Sequence, residues 1–410
     1  MLPIMNQGTA SVHPLQLIRP GVQEGVAQDR APFQQCSVTV MLRHIRGPGD
    51  GPTVMVVNLV MEKTMDIVAA GLQVKIPHNA YKNEAVFVFM RLNGRVGIAL
   101  SCYGDPAELI RMAKRAEGAG FNRAWFIEVQ DVDAFVMSCA AALSTKTIGV
   151  ATGVTNSHLR LPTTIAMAAA TTSLLSDGRF SLGIGAGVAP MGYAETISSD
   201  RPITRLRETL IIINELLRTG RCTFSGKLFN VNGFELYLRP RSRIPVYAAG
   251  MGPRAIELAA GLTDGVLVML PTAEHMSEAR RIADKAGTSA RVIGYFLTVA
   301  EGDGSFEKAR RAIAEYCTYP AFGDNFKRLG YGKTVEAVKS AAAAGIDAAM
   351  QHVPRKMVDD LMIYGTSGEI ENKIKGFFDA GADEVVLYPY MTGQGDYPSG
   401  IEHVIDAVNM

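Results

Sequence analysis

The chain has 410 residues, enough for one large α/β domain or two smaller ones, and with 48% hydrophobic and 20% charged residues it has ample material for a large core. Lys plus Arg number 41 against 40 for Asp plus Glu, a formal net charge of +1, which argues against electrostatic capture of nucleic acid or a membrane surface. The five cysteines (Cys36, Cys102, Cys139, Cys222, Cys317) lack a CxxC spacing and the seven histidines form no HxH or HxxxH pair, so neither a disulfide framework nor a metal site is indicated, and a reducing cytoplasm is expected.

No stretch approaches the roughly 18 apolar residues of a spanning helix. The best run, TVMVVNLVM, is broken by Asn58 and stopped by Glu62, and the first 30 residues lack the basic start and apolar stretch of a signal peptide. Residues 1–89 carry Gly, Pro and Gln with no sustained period and are expected to be a poorly structured extension. Met90 directly precedes a strand of the kind that opens a domain. The upstream part then reads either as an overextended gene model or as an arm that caps the domain or an oligomer contact.

From residue 90 onward, apolar β-branched runs alternate with helical patterns: RVGIAL, RAWFIE, TIGVATG, RFSLGIG, IPVYAAG, DGVLVML, RVIGYFLTV and DEVVLYP. Helices are predicted between them, including DPAELIRMAKRAEGAG with Asp105 as N-cap and Gly120 as stop, LPTTIAMAAATTSLLSDG, PITRLRETLIIINELLRTG and GEIENKIKGFFDAGAD. Eight βα units predict an α/β fold, a (β/α)8 TIM barrel with insertions, over residues 90–410. RCTFSGKLFNVNGFELYLRP reads as a hairpin excursion, and residues 320–360 as the longest irregular insertion.

Catalysis in such a barrel sits on loops after the C-terminal strand ends. That rule selects Ser101 and Cys102, Glu128 and Gln130, Gly153 to His158, Gly185 to Gly187, Gly250 to Arg254, Met269 to Thr272, Ala300 to Asp303 and Tyr388 to Tyr390. In AAGMGPRAIELAAG, Gly250 and Gly252 follow a strand and Pro253 takes the favoured first helical position, so free N–H groups meet a positive helix end where a phosphate would bind. The same spacing fits a dinucleotide fingerprint, but DGVLVMLPT has its Asp264 at the beginning and no acid at its end for a ribose. A turn needed only for tight packing is the plainer alternative. LGIGAGVAP, with Gly185, Ala186 and Gly187, brings backbone close under a flat ring or a ligand chain, or simply eases barrel packing.

TIGVATGVTNSHLRLPTTIAMAAATTSLLSDGRFSLGIGAG, followed by IPVYAAGMGPRAIELAAGLTDGVLV, resembles the bacterial luciferase-like superfamily and its coenzyme F420-dependent branch, typified by 5,10-methylenetetrahydromethanopterin reductase. The resemblance spans roughly residues 94–410. It implies a non-prolyl cis bond at Gly153–Val154 backing the deazaflavin ring, where glycine removes a side chain that would collide. It also implies that Gly250, Gly252, Pro253 and Arg254 hold the coenzyme phosphate, and that Gly185, Ala186 and Gly187 lie near the ring or ribityl chain. Asn156 would bond the polar edge of the ring or cap a turn. Glu128 falls where the reductases carry an acidic residue near the reacting face, as a proton relay, a substrate-orienting group or a solvated loop carboxylate.

The loop after the second strand, FIEVQDVDAF, has Gln130 and Asp131 in place of the reductases' Asp-His pair, which leaves the substrate open. His158 either supplies part of that function or caps the third helix.

The implied function is an F420-dependent oxidoreductase passing a hydride to or from a small organic substrate of the CH–NH or CH–OH type, with no covalent nucleophile and Cys102 a small buried filler. The alternatives are an FMN-dependent luciferase-like monooxygenase, a non-catalytic F420 or flavin carrier, and a phosphate-binding isomerase or aldolase barrel. The last lacks the strand-end lysine of a Schiff-base enzyme. The resemblance also implies a homodimer or homotetramer.

Overall fold

The eight apolar runs close into one parallel barrel in the computed structural model, which describes residues 41–45, 54–58, 67–69, 72–74, 95–101, 105–128, 132–187, 201–300, 304–391 and 397–408. The chain divides into two compact units, Met1–Leu92 and Asn93–Met410. In the first, β1 (Met41–Ile45) pairs antiparallel with β2 (Val54–Asn58), and β3 (Ile67–Ala69) with β4 (Leu72–Val74). The rest of the predicted extension, and Met90 after it, lie outside the described residues.

In the second unit, β5 (Val96–Leu100), α1 (Pro106–Ala119), β6 (Arg123–Phe126), α2 (Ala134–Ser144) and β7 (Gly149–Thr152) follow in order. Next come the short β8 (Thr155–Asn156), α3 (Pro162–Leu175), β9 (Phe180–Gly185) and α4 (Pro202–Thr219). The antiparallel hairpin β10 (Arg221–Ser225) and β11 (Asn230–Glu235) lies where the sequence places it. The barrel then continues through β12 (Val246–Ala249), α5 (Pro253–Leu262), β13 (Gly265–Met269), α6 (Ala273–Lys285) and β14 (Arg291–Val299).

Residues 320–360, expected to be irregular, are helical: α7 (Ser305–Thr318) leads into α8 (Pro320–Phe326), a wide turn Lys327–Tyr331, α9 (Gly332–Ala341), α10 (Ile346–Met350) and α11 (Arg355–Leu361). These pieces are too short to stand alone in water and hold because they share one apolar cluster, including Phe326, Val335, Val338, Met357 and Leu361. The chain returns through β15 (Ile363–Tyr364), α12 (Ser367–Asp379), β16 (Glu384–Pro389) and α13 (Ser399–Val408).

Local rules explain the elements. Helix α1 starts where the Asp105 carboxylate accepts the Ala107 N–H at 2.9 Å and Pro106 occupies the first turn, and it stops at Gly120, whose φ of 84° is left-handed. It buries Leu109, Met112, Ala113 and Ala116, a stripe at three- and four-residue spacing. The strands are apolar throughout because helices cover one face and the barrel interior the other. Around the barrel the order is β5, β6, β7, β9, β12, β13, β14, β16, closed by β16 on β5 with Val386 opposite Gly97.

One side chain fills the middle of the barrel. Trp125, fully buried, meets Tyr247 and Tyr295 edge-on at 5.7 and 6.0 Å. Gly97 and Gly183 leave it room, since a Cβ at either would lie 3.0 to 3.2 Å from the indole. Burying such a ring stabilises the fold by roughly 5 kcal/mol at about 25 cal/mol per Å². At the N-terminal end an ionic plug closes the floor: the fully buried Glu384 accepts from Arg123 at 2.8 Å and from the Trp125 indole N–H at 3.0 Å, with Arg291 at 3.5 Å.

Candidate active site

At the opposite end, the carboxyl ends of the strands present a partly open apolar floor of Val154, Ala249, Met269 and Tyr388 above the Trp125 core. The Gly153–Val154 peptide bond is cis, at the position the resemblance implied. A Cβ on Gly153 would overlap the Tyr295 hydroxyl and lie 2.7 Å from Trp125 Cβ, so this bulge rests flush on the two rings. The Tyr295 hydroxyl donates to the Gly153 carbonyl at 3.3 Å, and burial keeps it protonated far above the usual tyrosine range. Gly185 adjoins the bulge from β9, where a Cβ would come 2.9 Å from Val154 Cγ2.

Glu128, at the end of β6, is not a solvated loop carboxylate: its side chain is 7% exposed and both oxygens are engaged. One accepts from the Thr155 hydroxyl at 2.5 Å and the Asn156 N–H at 3.2 Å; the other pairs with Arg160 at 2.7 Å. Arg160 also pairs with Asp133, the N-cap of α2, and lies over the Phe135 ring at 5.3 Å. Against the penalty of burial, Arg160 and the first N–H groups of α2 hold the Asp133 carboxyl below the ordinary range. The arrangement ties the loop after β6 to the bulge after β7.

The Asn156 side chain caps a turn, its Oδ1 accepting the His158 N–H at 2.8 Å, and it abuts Gly187, whose φ of 79° suits glycine. His158 does not cap α3, because the N-cap is Leu161. Its ring instead bonds the Ala186 backbone, and burial, then the nearby Arg205 guanidinium, lowers its basicity.

In the second glycine loop the helix begins where the sequence predicts it. Gly252 is the N-cap of α5, Pro253 opens the helix, and no side chain caps it. Gly250 is demanded by packing, since its Cβ would meet the Ala255 backbone at 2.9 Å. Gly252 is not: its φ is −96° and a Cβ there would meet nothing within 4 Å. Open space therefore faces a helix start carrying a positive partial charge, and Arg254, exposed, has no ion pair among the described residues. That cradle fits a phosphate group, and the apolar floor beside it fits a flat ring.

Ser101, Thr272, Ala300 and Tyr388 to Tyr390 also sit at this end, whereas Cys102, Gln130, Asp131 and residues 188–200, 301–303 and 392–396 lie outside the described residues. Sequence reasoning missed Trp125, Tyr295 and Arg160 as supports of the bulge. For Trp125 a signal existed: one tryptophan in mid-strand, with glycines inside neighbouring strands. Among the described residues no helix is long and apolar enough to cross a membrane.

A family model described as luciferase-like monooxygenase matches residues 86–384. The chain is 31% identical over 297 residues to the 5,10-methylenetetrahydromethanopterin reductase of Archaeoglobus fulgidus, covering 68% of this chain and 88% of that one. It is 32% identical over 176 residues to the F420-dependent glucose-6-phosphate dehydrogenase of Amycolatopsis mediterranei, covering 40% and 53% respectively. In fold it matches the coenzyme F420-dependent tetrahydromethanopterin reductase structure from Methanopyrus kandleri, with a TM-score of 0.67, 23% identity and coverage of 78% of this chain and 98% of that one. The chain therefore belongs to the luciferase-like monooxygenase family, and within it resembles the F420-dependent oxidoreductases.

Proposed function

We propose that this protein is a coenzyme F420-dependent oxidoreductase that moves a hydride between the deazaflavin and a small organic substrate of the CH–NH or CH–OH type. The observation that carries the reading is a conjunction at the barrel mouth: the Gly153–Val154 bulge seated on Trp125 and Tyr295, beside an α5 start whose Gly252 faces open space. On this reading Gly153 and Val154 back the ring, Gly185, Ala186 and Gly187 flank the ribityl chain, and Gly250, Gly252, Pro253 and Arg254 hold the phosphate. F420 supplies the two-electron chemistry when bound. The chain fixes the ring's orientation, shields it from water and positions the substrate. Glu128 acts here by holding Thr155 and Asn156 in place, since both its oxygens are engaged.

Titrating the purified full-length protein with F420 and with FMN, read by quenching of its one tryptophan, Trp125, tests this reading. Micromolar F420 binding with FMN ignored is the expected result. FMN binding alone refutes it in favour of a flavin-dependent enzyme of the kind the family's description, luciferase-like monooxygenase, leaves open. Tight F420 binding without turnover on any donor identifies a carrier instead.

A homodimer or homotetramer is part of the same proposal. Val136 and Leu143 on α2 and Met167 and Leu175 on the adjoining α3 leave apolar side chains 45 to 68% exposed, as a surface awaiting a partner would. Light scattering on the wild type and on Leu143→Glu reads it: a monomeric wild type refutes the expectation.

A further inference from the structure

The carbonyl of Met251, in the middle of the Gly250–Gly252 loop, is held from two sides. Arg328, from the wide turn after α8, donates through Nη2 to that oxygen at 2.7 Å and to His275 Nε2 at 2.7 Å. The same group reaches Asn325 Oδ1 at 2.9 Å, and Nη1 pairs with Glu278 at 3.3 Å. A guanidinium only donates, so His275 Nε2 accepts and the proton is assigned to Nδ1. The His275 ring in turn bonds the Met251 carbonyl from the first turn of α6. The Met251 side chain also packs against the apolar cluster of the helical insertion.

A trans peptide is planar, with its carbonyl and the following N–H on opposite sides. The Met251–Gly252 bond is not among the cis bonds, so clamping the Met251 oxygen onto Arg328 and His275 turns the Gly252 N–H the other way. Among the described residues no acceptor meets that N–H, and a Gly252 Cβ would meet open space. We propose that Arg328 and His275 are positioning residues for anion recognition, holding the peptide so that the Gly252 N–H is offered to the phosphate of the bound coenzyme. Released from the clamp, the same peptide is free to flip and aim its carbonyl oxygen at the anion. The proposal rests on the F420 reading and adds to it: the insertion, through Arg328, shapes the phosphate loop of a strand and helix 77 residues earlier.

The test measures, in full-length protein, dissociation constants for F420 and for its ring-and-ribityl fragment lacking the phosphate, both by Trp125 quenching. Arg328→Ala is expected to weaken F420 about tenfold or more while leaving the fragment's affinity unchanged, and Arg328→Lys, which keeps the charge but loses the fork, to fall between. Tyr331→Phe, which removes the bond to Asp360 and loosens the insertion elsewhere, is expected to leave both affinities unchanged. Partial unfolding would weaken both ligands together, so the ratio reports positioning alone. Equal weakening of the two by Arg328→Ala, or none, overturns this proposal and leaves the F420 reading standing. Wild-type protein that binds F420 no better than the fragment also overturns this proposal alone, and wild-type protein that does not bind F420 overturns both.

Discussion

His275 makes the protein's acid stability calculable. The side chain is 1% exposed, so solvent screening is negligible, and burial followed by the adjacent Arg328 guanidinium pushes it from an ordinary 6.5 to about 4, outweighing Glu278 and the Met251 carbonyl. Because the folded value lies below the unfolded one, the neutral ring's contribution is whole above about pH 6.5 and is lost progressively as the pH falls towards 4. At 1.36 kcal/mol per tenfold, the loss between about pH 7.5 and pH 4 comes to about 3 kcal/mol. With about 2.1 cal/mol/K of unfolding entropy per residue over some 320 residues, that is a fall of about 5 °C in melting temperature. Other groups titrate in the same window, so the measurement is the difference between the wild type and His275→Gln, which carries no titrating ring. Thermal melts of both at about pH 7.5 and pH 4 are expected to show the wild type losing about 5 °C more than the variant. Parallel losses would refute the reasoning, because the buried ring would then not be what the acid charges.

Glu384→Ala should cost about 3–5 kcal/mol in denaturant unfolding, because it strands Arg123 and the Trp125 indole N–H at the barrel floor; a cost under about 1 kcal/mol would refute the plug. Gly153→Ala should lower the melting temperature and weaken ring binding about tenfold or more, since the new methyl group overlaps the Tyr295 hydroxyl, and unchanged binding would remove the bulge from the ring site. Glu208, on α4, accepts the Lys227, Leu228 and Phe229 N–H groups at 2.7 to 3.0 Å, so Glu208→Gln should speed amide exchange at those three positions. Against the cost of burial these donors hold its carboxyl below the ordinary 4.5, so its contribution persists above that value and is lost as the pH falls through the lower folded one.

Much of this architecture is written in short-range pattern. The eight strands, Asp105 and Gly120 bounding α1, and Gly252 with Pro253 opening α5 were all legible, because strand burial, capping and left-handed turns depend on a few consecutive residues. The Gly153–Val154 bulge was legible by resemblance, not by any local rule. Residues 320–360 misled because Gly323, Gly330, Gly332 and Gly345 interrupt any period, and their helices depend on apolar contacts made only in the folded chain. The same limit hid the site's supports. Glu128 read as an available carboxylate until Arg160, 32 residues on, was seen to occupy one of its oxygens, and nothing near Met251 in sequence announces Arg328. Residue type and spacing determine which groups stand at the barrel mouth. Only the tertiary structure decides which are engaged, because a hydrogen bond or an ion pair is set by distance in space, and chain separation does not encode it.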